Sequence, residues 1–374
     1  MKNISIRSAY VLPILAIIAI GLMILVEGTK SEHIQPYFQE KTDAANLMVD
    51  CIEYLKNTDF KDEVSVDNIN DPNDTRIIGT RYSAITSGRG SLPIKLSTVN
   101  PNFAALLVEL FKEANLKKGD HIAIGATGSF PALDIAALSA AKVLNLDVSY
   151  IASVTSSSWG ANDPEYTFLD MQSSLMKGGL LTKKIIASSI GANDDIGRTL
   201  SPEGREIVQK AIERNNIFFI NGKSLSENIS TRMEIFNQEE KEKGKKIKLY
   251  INIGGGIASL GSSKNSNELP SGLLKDVKLK LFPDKIGIMF EMASRKTPLI
   301  NLKHIAYLLN KYDLPLDPVP LPAVGEGKLF HDLKYDLRYV FGAAGFLVFI
   351  ILSVIIFDKK QNALGNIIVN KEKK

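Results

Sequence analysis

The chain has 374 residues, 45% of them hydrophobic, and a formal net charge of +4. The excess charge sits at the ends: Lys2 and Arg7 stand against Glu27, and Lys359, Lys360, Lys371, Lys373 and Lys374 against Asp358 and Glu372. The near-neutral middle has no basic stripe, which argues against nucleic acid as a partner. A single cysteine, Cys51, excludes an intramolecular disulfide, and about 300 residues can build a stable core without one.

Residues 1–9 carry the first basic flank, and residues 10–27 follow as a transmembrane helix. Their uncharged run, YVLPILAIIAIGLMILV, is on the short side of the roughly 17–25 apolar residues a membrane span needs. A cleaved signal peptide is the rival reading, because a basic flank precedes an apolar run. The following VEGTKSEH lacks a small-residue cleavage site, which favours a retained anchor.

Residues 28–117 read as a helical and irregular lead-in. A helix is expected over 35–56, with Pro36 in its first turn. Phe38, Ala45 and Ile52, then Met48 and Leu55, form an apolar face of helical period. Ala44, Leu47 and Cys51 widen it, and Cys51 reads as a buried small hydrophobe. DNINDPNDT is a turn-rich loop. In the following ITSGRGSLPIKLS, glycines and a proline argue against a helix. A second helix starts near Pro101, with Asn100 as its expected N-cap.

Residues 118–330 carry the main α/β pattern. Strands are expected over 121–126, 147–154, 184–190, 217–220 and 247–253, with weaker ones at 286–289 and 298–301. Helices are expected over 131–144, 164–176, 202–215 and 225–242. Ser201 is the expected N-cap of the third, with Pro202 and Glu203 in its first turn. This alternation predicts an open, mainly parallel sheet with helices on both faces, flanked by one transmembrane helix at each end. The second span, 339–357, opens on Tyr339 and Phe341 and carries a small-residue face of Gly342, Ala343 and Gly345. A buried core helix is its rival. The basic tail, 358–374, and the basic N-terminus put both termini in the cytoplasm and the domain outside.

Four loops follow expected strands: 125–134, 154–165, 190–204 and 252–261. In a parallel sheet they share the carboxyl edge, where ligands bind. Gly125, Gly128, Gly254, Gly255 and Gly256 allow close backbone approach, and following helices offer free amides to an anion. Tight strand-to-helix turns explain the same glycines without any ligand. The remaining candidate contacts are Thr127, Ser129, Ser157, Ser158, Trp159, Asn162, Asp163, Asn193, Asp194 and Ser259. Trp159 is either a ligand platform or a lid over the core.

No phosphate-binding motif fits. GATGSFP lacks the P-loop spacing and lysine, and Ser259 stands where a dinucleotide fingerprint needs its third glycine. No cofactor and no metal is expected. Ser129, at a strand-to-helix turn, and Asp163 are the candidates for catalysis, but T-G-S-F-P is no nucleophile elbow. None of His33, His121, His304 and His331 is placed by the pattern to activate a serine. Asp163, Glu165, Asp194 and Asp195 suit acid–base or metal chemistry, but the turn and cap reading of these residues is the favoured one. Arg295 and Lys296 could pair with carboxylates, or be simply solvated.

The phrases GATGSFPALDIAALSAAKVL, SSSWGANDPEYTFLDM and NIGGGIASLG, together with the two hydrophobic ends, resemble the poly-γ-glutamate system protein family. The resemblance covers most of the chain and is strongest over 118–261. It implies work beside the machinery that makes and exports poly-γ-glutamate. The implied partners are the polymer, an ATP-dependent amide ligase with its small membrane subunits, and membrane lipid. It carries no catalytic residues over. A polymer with a free carboxylate on every residue matches the anion-binding loops. The favoured expectation is a binding or export role; a hydrolase or transferase acting on the polymer, and a non-catalytic scaffold of the synthase, are the alternatives.

Overall fold

The computed structural model describes residues 10–59, 67–279, 282 and 286–371, with side chains to residue 360. The expected cytoplasmic residues 1–9, including Lys2 and Arg7, and the tail lysines Lys373 and Lys374 lie outside the described residues. The chain divides into two compact units, one holding both ends and the other spanning 35–330.

The first unit opens with helix α1, Val11–Glu27, and strand β1, Ser31–Ile34. At 17 residues α1 is about 25 Å long, short of the roughly 30 Å hydrocarbon core.

The second unit begins with α2, Phe38–Thr58, whose Ala44, Ala45, Met48, Cys51, Ile52 and Leu55 are buried as their spacing predicts. Strand β2, Thr86–Gly88, and helix α3, Leu92–Thr98, follow. The expectation of a non-helical stretch over 85–97 is corrected here. Pro93 lies in the first turn of α3, where its missing N–H costs no hydrogen bond. Helix α4, Asn102–Glu113, starts one residue beyond Pro101, which is itself the N-cap.

The sheet is built next. Strand β3, His121–Thr127, leads through α5, Pro131–Val143, to β4, Asp147–Ser153. The short β5, Ser156–Ser157, pairs with β2 in a separate ribbon. Helix α6, Phe168–Lys177, starts at a capping box in which the Thr167 hydroxyl and Asp170 carboxylate satisfy each other's end of the turn. Strand β6, Ile185–Ser189, precedes α7, Pro202–Arg214, where Ser201 caps by accepting the Gly204 N–H at 3.0 Å. Then come β7, Phe218–Ile220; α8, Leu225–Lys243; and β8, Ile247–Ile253. The short helices α9, Ile257–Leu260, and α10, Ser263–Glu268, lead to β9, Gly272–Leu274. Helix α11 covers Ile288–Ser294, so the weak strand expected at 286–289 is wrong. Gly287, at φ +119°, breaks the extended run and Ile288 starts a helix. Strand β10, Leu299–Leu302, and α12, Ile305–Tyr312, complete the unit.

The seven strands lie in the order β7-β6-β4-β3-β8-β10-β9. All neighbours pair in parallel except the edge strand β9, which is antiparallel to β10. Alternation along the strands separates two cores. Ile122, Ile124 and Ala126 join the side chains of α2, α4 and α5. Ala123, Ile151 and Ala187 join those of α8 and α11. Helices therefore cover both faces, as the continuous apolar strands require. Each fully buried Ile, Leu or Phe contributes about 1.5–3 kcal/mol. Residues 35–117, expected as a lead-in, belong to this unit, because α2 and α4 bury their apolar faces against α5.

The chain re-enters the first unit at β11, His331–Lys334, which pairs antiparallel with β1, Ser31 opposite Lys334. The last helix, α13, runs from Leu337 to Lys371. Among the described residues, Leu337–Lys360 is the one helical segment long and apolar enough to cross a membrane; the expectation of two such helices is met at the C-terminal end alone.

Candidate functional site

The winding of the sheet reverses beside β3. From β3 the chain steps outward to β4, β6 and β7, then returns to place β8 on the other flank of β3. Loops leaving the carboxyl ends of β3 and β8 diverge at that point and leave a crevice, the usual ligand position in such sheets. A cavity of about 430 Å³ lies there. Thr127, Ser129 and Phe130 after β3 and Gly255, Gly256 and Ile257 after β8 line it. Ser153, Thr155 and Ser157 extend it past β4, and Ala192 and Asn193 past β6. Residues 87–91, Ile94 and Lys95 add a further wall. They are brought in by the β2–β5 ribbon, in which Gly88 sits opposite Ser157.

Backbone geometry explains Gly191, between β6 and the cavity. Its φ is +90°, and a Cβ there would lie 2.4 Å from Thr155 Oγ1, so only glycine fits.

The charge balance is positive. Arg89, Lys95 and Lys303 line the cavity, and Asp195 is the one carboxylate among the lining residues. Asp195 is buried and already satisfied. Arg232 Nη1 lies 2.5 Å from its Oδ2, Ser189 Oγ donates to Oδ1 at 2.8 Å, and Asn228 Nδ2 donates to Oδ2 at 3.1 Å. Its charge is met from the side of α8 by Arg232, so it is not the partner of the cavity's own cations.

Lys95 is the most perturbed of these cations. Only 2% of it is exposed. Its Nζ donates to the Ser129 carbonyl, lies 3.0 Å from Ser157 Oγ, and sits 3.9 Å from the centre of the Phe130 ring. Burial pushes its pKa down to about 7, opposed by Asp134. Asp134 is wholly buried on α5 and accepts a 2.8 Å hydrogen bond from the Tyr150 hydroxyl at Oδ1. Its Oδ2 has no partner among the described residues, and burial raises its pKa well above the carboxylate range. Lys303 is also pushed downward by burial, while its Nζ donates to the Ser266 carbonyl at 2.7 Å.

The structure gathers Thr127, Ser129, Ser157, Asn193, Gly255 and Gly256 of the expected contacts into this cavity. The others do not line it. Gly125 packs against Tyr250, whose hydroxyl would be 1.9 Å from an added Cβ, and Ser259 Oγ meets the same hydroxyl at 2.6 Å. Gly128 is closed in by the Val154 carbonyl, and Gly254 is required by its φ of +88°. Ser158 N–H donates to the Gly88 carbonyl. Asn162 is buried, its side chain holding the Thr80 backbone and the Thr86 hydroxyl. Half-buried Trp159 has φ +67° and donates its N–H to Thr80. Asp163 caps a turn by accepting the Glu165 N–H at 2.8 Å, and Asp194 pairs with Arg198 at 2.9 Å. The glycine-rich phrases therefore mark two different things, the cavity wall and the packing beneath it.

Among the described residues no histidine lines the cavity. His121 is buried at the amino end of β3, where Nε2 meets Ser149 Oγ at 2.8 Å, and burial lowers its pKa. Among the described residues no cluster of three or more His, Cys, Asp or Glu is arranged to hold a metal. Lys95 and the Ser87–Ser91 stretch were missed by sequence reasoning. The usable signal was a glycine-rich run followed by a proline in a first helical turn, S-G-R-G-S-L-P-I-K. No known family model matches this chain, and no curated protein is significantly similar to it.

Proposed function

We propose that this chain is a membrane-anchored component of poly-γ-glutamate synthesis or export, whose α/β unit receives carboxylates of the polymer in the cavity at the carboxyl edge. The carrying observation is the charge arrangement: among the described lining residues three basic side chains stand against one carboxylate, Asp195, which Arg232 already holds. Hydroxyls of Ser129, Ser157 and Thr155 add donors that an anion needs once it leaves water. The resemblance of the glycine-rich phrases supplies the identity of the polymer. For the membrane arrangement, support comes from the ribbon. β1 and β11 are antiparallel, so α1 and α13 join it at the same end. Within the first unit this favours two helices side by side, consistent with a paired membrane anchor.

The test uses the full chain in detergent micelles and fluorescein-labelled poly-γ-glutamate. Saturable binding is expected, weakening as salt rises because exposed charges are screened. Arg89→Ala and Lys303→Ala each weaken it several-fold. Absence of saturable binding, or affinity unchanged in both variants, overturns the reading.

A further inference from the structure

Two of the side chains that line the cavity are placed for more than binding. Lys95 Nζ and Ser157 Oγ lie 3.0 Å apart and both line the cavity. Each is fixed from behind. The lysine is held on α3, with its Nζ bonded to the Ser129 carbonyl and seated over the Phe130 ring. The serine is held by β5 and by its own N–H, which donates to Ser129 Oγ at 3.0 Å. A buried amine beside a hydroxyl is the arrangement of a base and the nucleophile it activates.

We propose that Ser157 and Lys95 form an acyl-transfer pair, with Ser157 as nucleophile and Lys95 as its general base, acting on an amide or ester whose acyl group carries a free carboxylate. The carboxylate part of the substrate class rests on the binding reading above; the pair itself rests on the geometry.

With the amine neutral, the Ser157 hydroxyl donates to the lysine lone pair while a lysine N–H keeps the Ser129 carbonyl. Ser157 Oγ attacks the carbonyl carbon of the substrate and its proton passes to Lys95 Nζ. The tetrahedral centre collapses, the carbon–nitrogen (or carbon–oxygen) bond breaks, and Lys95 returns the proton to the departing amine or alcohol. The product on the protein is a serine ester. Water, deprotonated by Lys95, then attacks that ester; the free acid leaves and the proton returns to Ser157. An incoming amine in place of water gives transfer instead of hydrolysis. No oxidant, reductant or metal is consumed. A lysine with a pKa of about 7 is neutral often enough for this near neutral pH. Ser129, the serine singled out from the sequence, is then a positioning residue, since its carbonyl and hydroxyl engage Lys95 and the Ser157 amide respectively.

The test is covalent labelling of the full chain in detergent micelles with a biotinylated fluorophosphonate, mapped by mass spectrometry. The expected result is an adduct on Ser157, with a labelling rate that rises with pH through a midpoint near 7. Ser157→Ala removes the adduct. Lys95→Met slows it at least about 100-fold, the usual scale of a general base, and abolishes the midpoint. Excess poly-γ-glutamate slows wild-type labelling. No adduct on Ser157, or unchanged rate and pH profile in Lys95→Met, overturns the pair. Binding of labelled poly-γ-glutamate is measured on the same preparations, including Ser157→Ala. Binding without an adduct removes the acyl-transfer pair and leaves the receiver reading standing. An adduct without polymer binding supports the pair and overturns the carboxylate reading.

Discussion

Arg232 and Asp195 form a buried ion pair at 2.5 Å between α8 and the loop after β6, beside the cavity. Both are almost fully buried, at 3% and 2% exposure. Removing one member leaves an uncompensated buried charge, typically a loss of about 3–5 kcal/mol. Arg232→Met therefore lowers stability on that scale in urea denaturation. The double variant with Asp195→Asn recovers most of the loss, because no charge is then left buried.

Lys95 makes stability depend on pH. Its pKa falls from 10.5 to about 7 on folding. Between those values the unfolded chain binds more protons than the folded one, so stability rises with pH across that window. Below about 7 the cost of burying the charge is present in full. Each pKa unit corresponds to about 1.4 kcal/mol. Lys95→Met is thus expected to be more stable than wild type at pH 6.5, with the difference narrowing by pH 9.5. Denaturation curves of both chains at those pH values check the sign. Asp134 titrates in the opposite direction in both chains; loss of Lys95 removes a charge that lowers its pKa, which narrows the difference with rising pH in the same sense.

Two glycines separate folding from ligand access. A Cβ at Gly128 would stand 2.5 Å from the Val154 carbonyl, whereas nothing lies within 4 Å of one at Gly255. Gly128→Val costs about 1–3 kcal/mol by overpacking. Gly255→Trp leaves the melting temperature near that of wild type but fills the cavity, reducing polymer binding at least tenfold. Thermal unfolding and fluorescence titration of each variant check both halves.

Topology can be read with the native cysteine left in place. Cys51 is fully buried, and burial pushes its thiol up to about 12. It is expected to stay unlabelled by a maleimide in the folded chain. Lys210, on α7, pairs with Glu206 at the surface, both about two-thirds exposed. Lys210→Cys is expected to react with a membrane-impermeant maleimide in intact cells. Labelling only after lysis places the α/β unit in the cytoplasm.

The sheet was legible because its strands and helices differ in period and are punctuated by capping residues. Strand β8 matches its expected bounds, and α8 differs by one residue at its end. The cavity was legible in part, for the same reason that it forms: carboxyl-edge loops of a parallel sheet converge. What could not be read was which glycines line the cavity and which press on a neighbour. Gly125 and Gly255 look alike in sequence, yet one presses on Tyr250 and the other opens to solvent. Lys95 escaped because the segment that carries it was read as a loop. Its partner Ser157 lies 62 residues away and is reached through a two-strand ribbon with no periodic signature.

The pairing of β1 with β11 sets an order of events during synthesis. Ile34 and His331, partners in that ribbon, are separated by the whole second unit. At roughly 5–20 residues per second, that stretch takes on the order of 15–60 s to emerge. Through that interval β1 waits with its pairing edge empty, while the Gln35–Phe330 unit already has all its strands in hand before the ribbon can close. The backbone bond from Gln35 N–H to the Phe330 carbonyl, 2.8 Å, is then among the last to form in that unit, acting as its clasp.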